Sequence, residues 1–126
     1  MIAFKAPVPV LRIFSVEKAK EFYVGFLGFT VDWEHRFDDN FPLFMQVSRA
    51  GLKLFLSEHH GDGSPGARVI VPMSGIDELQ AEFAAKEYRY MKPGIEETPW
   101  GTRDMAVIDP SGNQLIFSEP LAPAAS

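Results

Sequence analysis

The sequence contains no cysteine, which excludes disulfide bonds, thiolate nucleophiles and cysteine-based zinc clusters. It also lacks any run of roughly eighteen or more apolar residues, the length that a membrane-spanning helix requires. Positions 1–10, MIAFKAPVPV, lack the long apolar core of a secretory signal peptide and are interrupted by two prolines. These absences predict a cytoplasmic protein that has no membrane partner.

The sequence has fewer basic than acidic residues: 12 Lys and Arg and 17 Asp and Glu give a net charge of −5. A negative surface repels phosphate backbones, so nucleic-acid binding is disfavoured and a cationic ligand is favoured. The 126 residues, 46% hydrophobic and 23% charged, are typical of a single globular domain spanning 1–126.

The first half of the chain reads as strand, helix and three strands. Ala19, Phe22, Tyr23 and Phe26 recur at helical spacing between a candidate N-cap at Ser15 and a closing glycine at position 28. The segments VPVLRIF, FTVDWEHRF, PLFMQVS and LKLFLS predict strands, and polar or glycine-containing turns separate the last three.

The second half repeats this order. ARVIVPM, residues 88–91, RDMAVI and NQLIFSE predict four strands, and IDELQAEFAAKEY predicts a helix at an offset of 60 positions from the first helix. The pattern predicts an α+β fold of tandem βαβββ modules, at about 6–60 and 66–119, with an unpatterned tail at 120–126. Each helix would cover one face of its curved mixed sheet, and every second strand residue would line a cleft on the other face.

All but one of the three histidines lie in the stretch SEHHGDGSPG at 57–66; the other is His35. Glu58, His59, His60 and Asp62 could form a metal site, a catalytic group, the rim of a ligand groove or a solvated turn. Adjacent histidines on an extended segment point to opposite sides, which disfavours a shared ion. The loop alone leaves all four interpretations open, with the metal site the least favoured.

The repeat, together with LRIFSVEKAKEFYVGFLGF and DPSGNQLIFSE, resembles the vicinal oxygen chelate superfamily over positions 6–119. This superfamily includes glyoxalase I, extradiol dioxygenases and the bleomycin resistance proteins. Its enzymes hold a divalent metal through His, Glu or Gln at matched strand positions. The resemblance places those positions on or beside Val8, Phe55, Ala67 and Ile116, whose side chains offer no ligand atom. It therefore implies that the metal centre is absent and that no cofactor is needed.

Within the superfamily, the sequence is most similar to the bleomycin resistance proteins. The similar segments are APVPVL (6–11), LGF followed by Asp32 and an aromatic residue, GIDELQAE (75–82), and PWG followed by a strand and the DPSGN turn. The resemblance implies a homodimer that sequesters the drug in grooves between subunits and performs no catalysis. It also implies that the first strand is exchanged between subunits, with Pro7 and Pro9 near the hinge.

The resemblance also suggests the ligand-binding residues. Trp100 and Trp33 match groove aromatics that would stack on a planar ring, and either Phe37 or Phe41 would complete the sandwich. Glu58, His59, His60 and Asp62 are candidates for the rim. Arg103 is a further candidate contact, with a surface ion pair as its alternative. An excess of acidic residues between 32 and 62 suits a cationic group on the ligand.

Three functions are therefore considered. The first is metal-free sequestration of a planar cationic glycopeptide antibiotic of the bleomycin type. The second is a glyoxalase-like lyase or isomerase whose metal is held instead by Glu58, His59, His60 and Asp62. The third is a binding module for another planar small molecule, since a fold alone does not determine a ligand.

Overall fold

The computed structural model describes residues 1–121, which form two four-stranded mixed sheets. The first module comprises β1 (Val10–Arg12), α1 (Val16–Lys20) with a π-helical continuation (Glu21–Phe26), β2 (Thr30–His35), β3 (Phe44–Arg49) and β4 (Leu52–Ser57). The second comprises β5 (Arg68–Pro72), α2 (Ile76–Ala85), β6 (Ile95–Glu97), β7 (Thr102–Ile108) and β8 (Gln114–Pro120).

Both sheets have the same topology, β1-β4-β3-β2 in sheet 1 and β5-β8-β7-β6 in sheet 2. In each sheet the first strand runs parallel to the last, and the remaining pairs are antiparallel. The helices begin at Val16 and Ile76, which is the offset that the sequence repeat predicted. The α+β class and the tandem βαβββ arrangement are thus confirmed, with the strands divided between two open sheets.

The strand predicted at residues 88–91 is wrong, because the sixth strand is formed by Ile95–Glu97. The alternation of Tyr-Arg-Tyr-Met imitates a half-buried strand. In the structure this segment is a turn in which Tyr88 packs against the core, with its ring centroid 4.4 Å from that of Phe26. The burial of one aromatic side chain from a turn therefore produced the misleading pattern.

The first helix begins where predicted, because the Ser15 side chain accepts a hydrogen bond from the Lys18 amide at 3.2 Å. Its second half widens into a π-helix, in which the Leu27 amide donates to the Phe22 carbonyl at 2.8 Å. Lys86, just after α2, donates to the carbonyls of Gly25 and Phe26 at this helix end. The second module thus satisfies backbone acceptors that the first helix leaves open.

A single core joins the inner faces of both sheets and their helices. Phe83 of α2 lies between Phe26 and Phe117, with centroid separations of 4.9 and 6.1 Å. Because the inner faces share this core, the outer face of each sheet points away from it. No helix within residues 1–121 has the length and apolar character needed to cross a membrane. Of the tail predicted at 120–126, positions 122–126 lie outside the described residues.

Polar contacts also join the two modules. The buried Tyr23 hydroxyl donates to Asp109 Oδ2 at 2.7 Å. Asn113 donates from its side chain to the same carboxylate oxygen and to the Arg12 carbonyl. Buried polar groups must be hydrogen-bonded to be tolerated. The Asp109–Asn113 turn, predicted as a structural turn, therefore also fastens the first module to the second.

Candidate ligand-binding site

Three aromatic side chains cover the outer face of sheet 1. Trp33 on β2, Phe44 on β3 and Phe55 on β4 have centroid separations of 5.8, 5.7 and 5.1 Å. They alternate with core residues, as the two-residue period of a strand requires. Trp33 remains 42% exposed. Large aromatics grouped on an open sheet face offer a flat apolar surface to a ligand.

This surface continues at one end through two histidines and a phenylalanine. His35, paired with Phe44 across the strands, lies 5.0 Å from Phe37 between ring centroids. His59 lies 6.3 Å from Phe37 and 6.5 Å from Phe44. Phe37 is 74% exposed. We refer to Trp33, His35, Phe37, Phe44, Phe55 and His59 together as the aromatic surface.

At the other end, a β-bulge between Val31 and Trp33 inserts Asp32 as an extra residue in β2. Its two carboxylate oxygens accept hydrogen bonds from Gln46 Nε2 at 2.8 Å and from Ser48 Oγ at 2.9 Å. Those hydrogen bonds, the one from Gln46 first, lower the pKa of Asp32. The bulge therefore places an ionised carboxylate on the outer face of sheet 1, one residue before Trp33.

The loop 57–66 folds against the edge of sheet 1 and uses most of its polar groups internally. Glu58 accepts from the Leu43 amide at 2.9 Å, and Asp62 accepts from Ser57 Oγ at 2.9 Å. Gly63 packs so close to β1 that a Cβ there would lie 2.7 Å from the Val10 carbonyl oxygen. His60 is exposed. Of the rim candidates, only His59 joins the aromatic surface through a ring contact.

A metal centre does not fit the residues present. No group of three or more His, Cys, Asp or Glu side chains in residues 1–121 is arranged to hold an ion. Phe55, at one of the positions matched to a metal ligand, is part of the aromatic surface. Ile116, at another, is a buried apolar residue on β8. Phenylalanine and isoleucine supply no lone pair, so neither side chain can coordinate a metal ion.

The outer face of sheet 2 is aliphatic rather than aromatic. Ile70 and Ile108 are exposed on it, and Ile116 lies between Ile70 and Ala106 in the strand register. Asp104 on the same face accepts from the hydroxyls of Thr102 and Ser118. The two sheets thus present chemically different faces, one aromatic and one aliphatic.

The remaining predicted contacts lie apart from the aromatic surface. Trp100 is 73% exposed in the turn between β6 and β7, at the edge of sheet 2. Phe41 is exposed, and among residues 1–121 its ring has no aromatic partner, so Phe37 is the one that adjoins the aromatic surface. Arg103 makes two hydrogen bonds to Asp77 of α2, which is the surface ion pair considered as its alternative.

Sequence reasoning missed Phe44, although its alternation with Met45 and Val47 could have revealed it.

A cleft of about 930 Å³ separates the two modules beside the edge strand β5. Its apolar lining includes the half-buried Leu52, Val69 and Leu79, and Glu78 and Glu82 border it. Pro7 and Pro9 are among its lining residues, and the segment before them, residues 1–6, is exposed along its whole length. Ile2 and Phe4 are 84% and 95% exposed. An apolar arm without contacts therefore lies next to an apolar cleft that is open.

Comparison with known proteins places these features in context. A family profile described as "Glyoxalase superfamily protein" matches residues 1–122. A bleomycin resistance protein of Geobacillus stearothermophilus is 25% identical over 130 aligned positions, covering 90% of this chain and 96% of the relative. Bleomycin resistance proteins of Staphylococcus aureus match to the same extent.

Solved structures give the same picture. The bleomycin-binding protein of bleomycin-producing Streptomyces verticillus, complexed with copper(II)-bleomycin, superposes with a TM-score of 0.67 and 29% identity. That match covers 93% of this chain and 97% of the other. A glyoxalase/bleomycin resistance protein/dioxygenase superfamily member from Sphaerobacter thermophilus gives a TM-score of 0.68 at 25% identity, over 92% and 98% of the two chains.

Proposed function

This chain belongs to the glyoxalase superfamily, and from that premise we propose that it is a metal-free binding protein for a planar cationic antibiotic of the bleomycin type. It acts in the cytoplasm by sequestering the drug, which confers resistance, and it performs no catalysis. Relatives named for bleomycin resistance and bleomycin binding support the ligand class.

The observation that carries the proposal is the exposed aromatic surface of sheet 1. Trp33, Phe44 and Phe55 form a continuous apolar area where a soluble chain would ordinarily place polar side chains. A flat heteroaromatic ring stacks favourably on such an area. The positions that would hold a metal in a glyoxalase-like enzyme are occupied by apolar side chains, and Phe55 at one of them contributes to the stacking area instead.

A second chain is needed to complete the groove. Trp33 and Trp100 belong to different sheets, and the outer faces of those sheets point away from the common core. We propose a homodimer in which sheet 1 of one copy faces sheet 2 of the other. A ring on the aromatic surface of one copy would then be covered by Trp100 and the aliphatic face of its partner.

The arm at residues 1–6 supports this dimer. Phe4 and Ile2 bury almost nothing on their own chain, and exposed apolar side chains of this size are costly in a monomer. The cleft beside β5 offers apolar lining, and Glu78 at its border can attract Lys5. The resemblance implied exchange of the whole first strand, but β1 pairs with β4 of its own chain. The exchange that we propose therefore involves only the arms, which would pivot near Pro7 and Pro9 and fill both clefts.

Titration of metal-free bleomycin into the purified protein tests the proposal, with tryptophan fluorescence and calorimetry as readouts. We expect one drug molecule per chain and a change in tryptophan emission. Trp33→Ala and Trp100→Ala should each weaken binding about tenfold, the value expected for losing one stacked aromatic ring.

Tyr90→Ala is the matched control, since Tyr90 is an exposed aromatic in the turn after α2 and lies outside the proposed groove. It should leave the affinity unchanged. No heat and no change in emission with the wild-type protein would reject the bleomycin-type ligand.

A further inference from the structure

The acidic residues near the aromatic surface differ in how they are engaged. Six lie between positions 32 and 62: Asp32, Glu34, Asp38, Asp39, Glu58 and Asp62. Glu34 pairs with Lys20 on the helix side of sheet 1. Glu58 and Asp62 accept hydrogen bonds within or beside their own loop. Asp38 binds the next amide in the turn after β2. Asp39 is exposed in the same turn. Of the six acids, Asp32 is therefore the one that lies on a strand and faces outward on sheet 1.

Asp32 is held in a fixed orientation by uncharged donors. Gln46 and Ser48, both on the outer face of β3, donate to different oxygens of its carboxylate. Gln46 is the cross-strand partner of Trp33, so the carboxylate and the indole share one patch of the sheet. Neutral donors orient the carboxylate without neutralising it, and each oxygen keeps acceptor capacity for a further donor.

No protein cation saturates this carboxylate. Within residues 1–121, no Lys or Arg nitrogen lies within the 4.0 Å of an ion pair with Asp32. Lys53, on the same face of β4, attracts Asp32 without pairing with it. The carboxylate is ionised at neutral pH, and its hydrogen bonds lower its pKa further from an ordinary value that is already acidic.

We propose that Asp32 determines the specificity of the site by binding a cationic group attached to the planar part of the ligand. This inference rests on the proposed ligand-binding role of the aromatic surface and names the residue that recognises the charge. A ring stacked on Trp33 would bring a cationic substituent at its edge toward the Asp32 carboxylate. Lys53 is a competing charge, and its removal should strengthen the interaction.

The test uses two planar probes of matched shape, 9-aminoacridine and acridine, at a pH where the first is cationic and the second neutral. Calorimetry should show that wild-type protein prefers the cation. Asp32→Asn, which keeps the size of the side chain, should weaken 9-aminoacridine binding about fivefold and leave acridine unchanged. Lys53→Gln should tighten binding of the cation alone. Glu87→Gln, an equal change of charge at an exposed position in the turn after α2, should alter neither probe.

The same variants titrated with metal-free bleomycin separate this inference from the proposed function. If bleomycin fails to bind but 9-aminoacridine binds in an Asp32-dependent way, the proposed role of Asp32 is supported and the proposed bleomycin-type ligand is rejected. If bleomycin binds Asp32→Asn as tightly as wild type, the proposed bleomycin-type ligand is supported and the proposed role of Asp32 is overturned. Equal affinity of the wild-type protein for both acridines, or no binding of either, also overturns it.

Discussion

At the level of single residues, the hydroxyl of Tyr23 connects the two modules through a buried contact with Asp109. Replacement by phenylalanine keeps the packing of the ring but removes the donor. We expect Tyr23→Phe to lower the free energy of unfolding by about 1–2 kcal/mol at neutral pH, because a buried carboxylate oxygen loses one of its donors. Urea unfolding followed by circular dichroism measures this difference.

The same residue predicts a response to alkaline pH. Burial, then the charge of Asp109 and the hydrogen bond to it, raises the pKa of Tyr23 well above its ordinary value. The neutral hydroxyl therefore stabilises the fold fully below the ordinary tyrosine pKa of about 10, and this contribution is lost as the pH rises above it. Tyr23→Phe should flatten the alkaline loss of stability, whereas Tyr88→Phe, a more accessible tyrosine, should largely retain it. An equally steep loss in Tyr23→Phe would contradict this account.

Individual site residues differed in how far the sequence could reveal them. Trp33 and Phe37 could be proposed because their types and neighbours resemble those of a known family. Phe44 was missed although the pattern could have revealed it, because it alternates with Met45 and Val47 and shares a strand face with polar residues. Asp32 could be counted only as one acid among several, since its two donors lie on the next strand along the chain.

At the level of elements, Arg49 on β3 ties the end of the first helix to α2. Its guanidinium donates to the Leu27 carbonyl at 2.6 Å and to both oxygens of Glu82 at 2.7 Å. Lysine keeps the charge but cannot donate two parallel hydrogen bonds to one carboxylate. Arg49→Lys should therefore cost about 1 kcal/mol of unfolding free energy. Chemical denaturation at neutral pH measures the cost. Arg103→Lys removes an equivalent pair of hydrogen bonds, to Asp77 within the second module. It should cost less, because Asp77 is largely exposed.

Acid should diminish the effect of Arg49→Lys. The hydrogen bond from Arg49 lowers the pKa of Glu82 below its ordinary value of 4.5. The pair therefore stabilises the fold above that value, and its contribution is lost as the pH falls through the lowered pKa. The stabilities of wild type and variant should converge in that range. A difference that stays constant into acid would show that Arg49 acts through packing alone.

Most elements could be predicted because their local patterns agree with their final environment. The helix starts at Val16 and Ile76 followed from spacing and from the Ser15 cap, and LKLFLS coincides with β4. The sixth strand could not be located, because Ile95–Glu97 is three residues long and offers no alternation to detect. The π-helical segment was also missed, since the same aromatic spacing suits an α-helix, and the extra residue per turn is stabilised by contacts with the second module.

At the level of the whole molecule, two distant features lead to the same expectation of a dimer. The arm carrying Ile2 and Phe4 makes no contact that would bury these side chains, and the proposed groove needs both Trp33 and Trp100. A sequence can show that an apolar segment exists, but only the structure shows that it lies unburied next to an open cleft. In the proposed dimer the oligomeric state is linked to ligand binding, since each monomer would supply only one wall of each groove.

Sedimentation equilibrium of wild-type protein and a Phe4→Ser variant tests this link. We expect wild type to sediment with twice the mass of one chain, and Phe4→Ser to raise the dimer dissociation constant at least about tenfold, because each arm loses the burial of one aromatic ring. Bleomycin binding should weaken in parallel at protein concentrations where the variant is monomeric, and recover when its concentration is raised. Tyr90→Ser, which removes an equally exposed ring elsewhere, should leave the mass unchanged. A wild-type monomer that binds bleomycin at full affinity would show that one sheet face is sufficient.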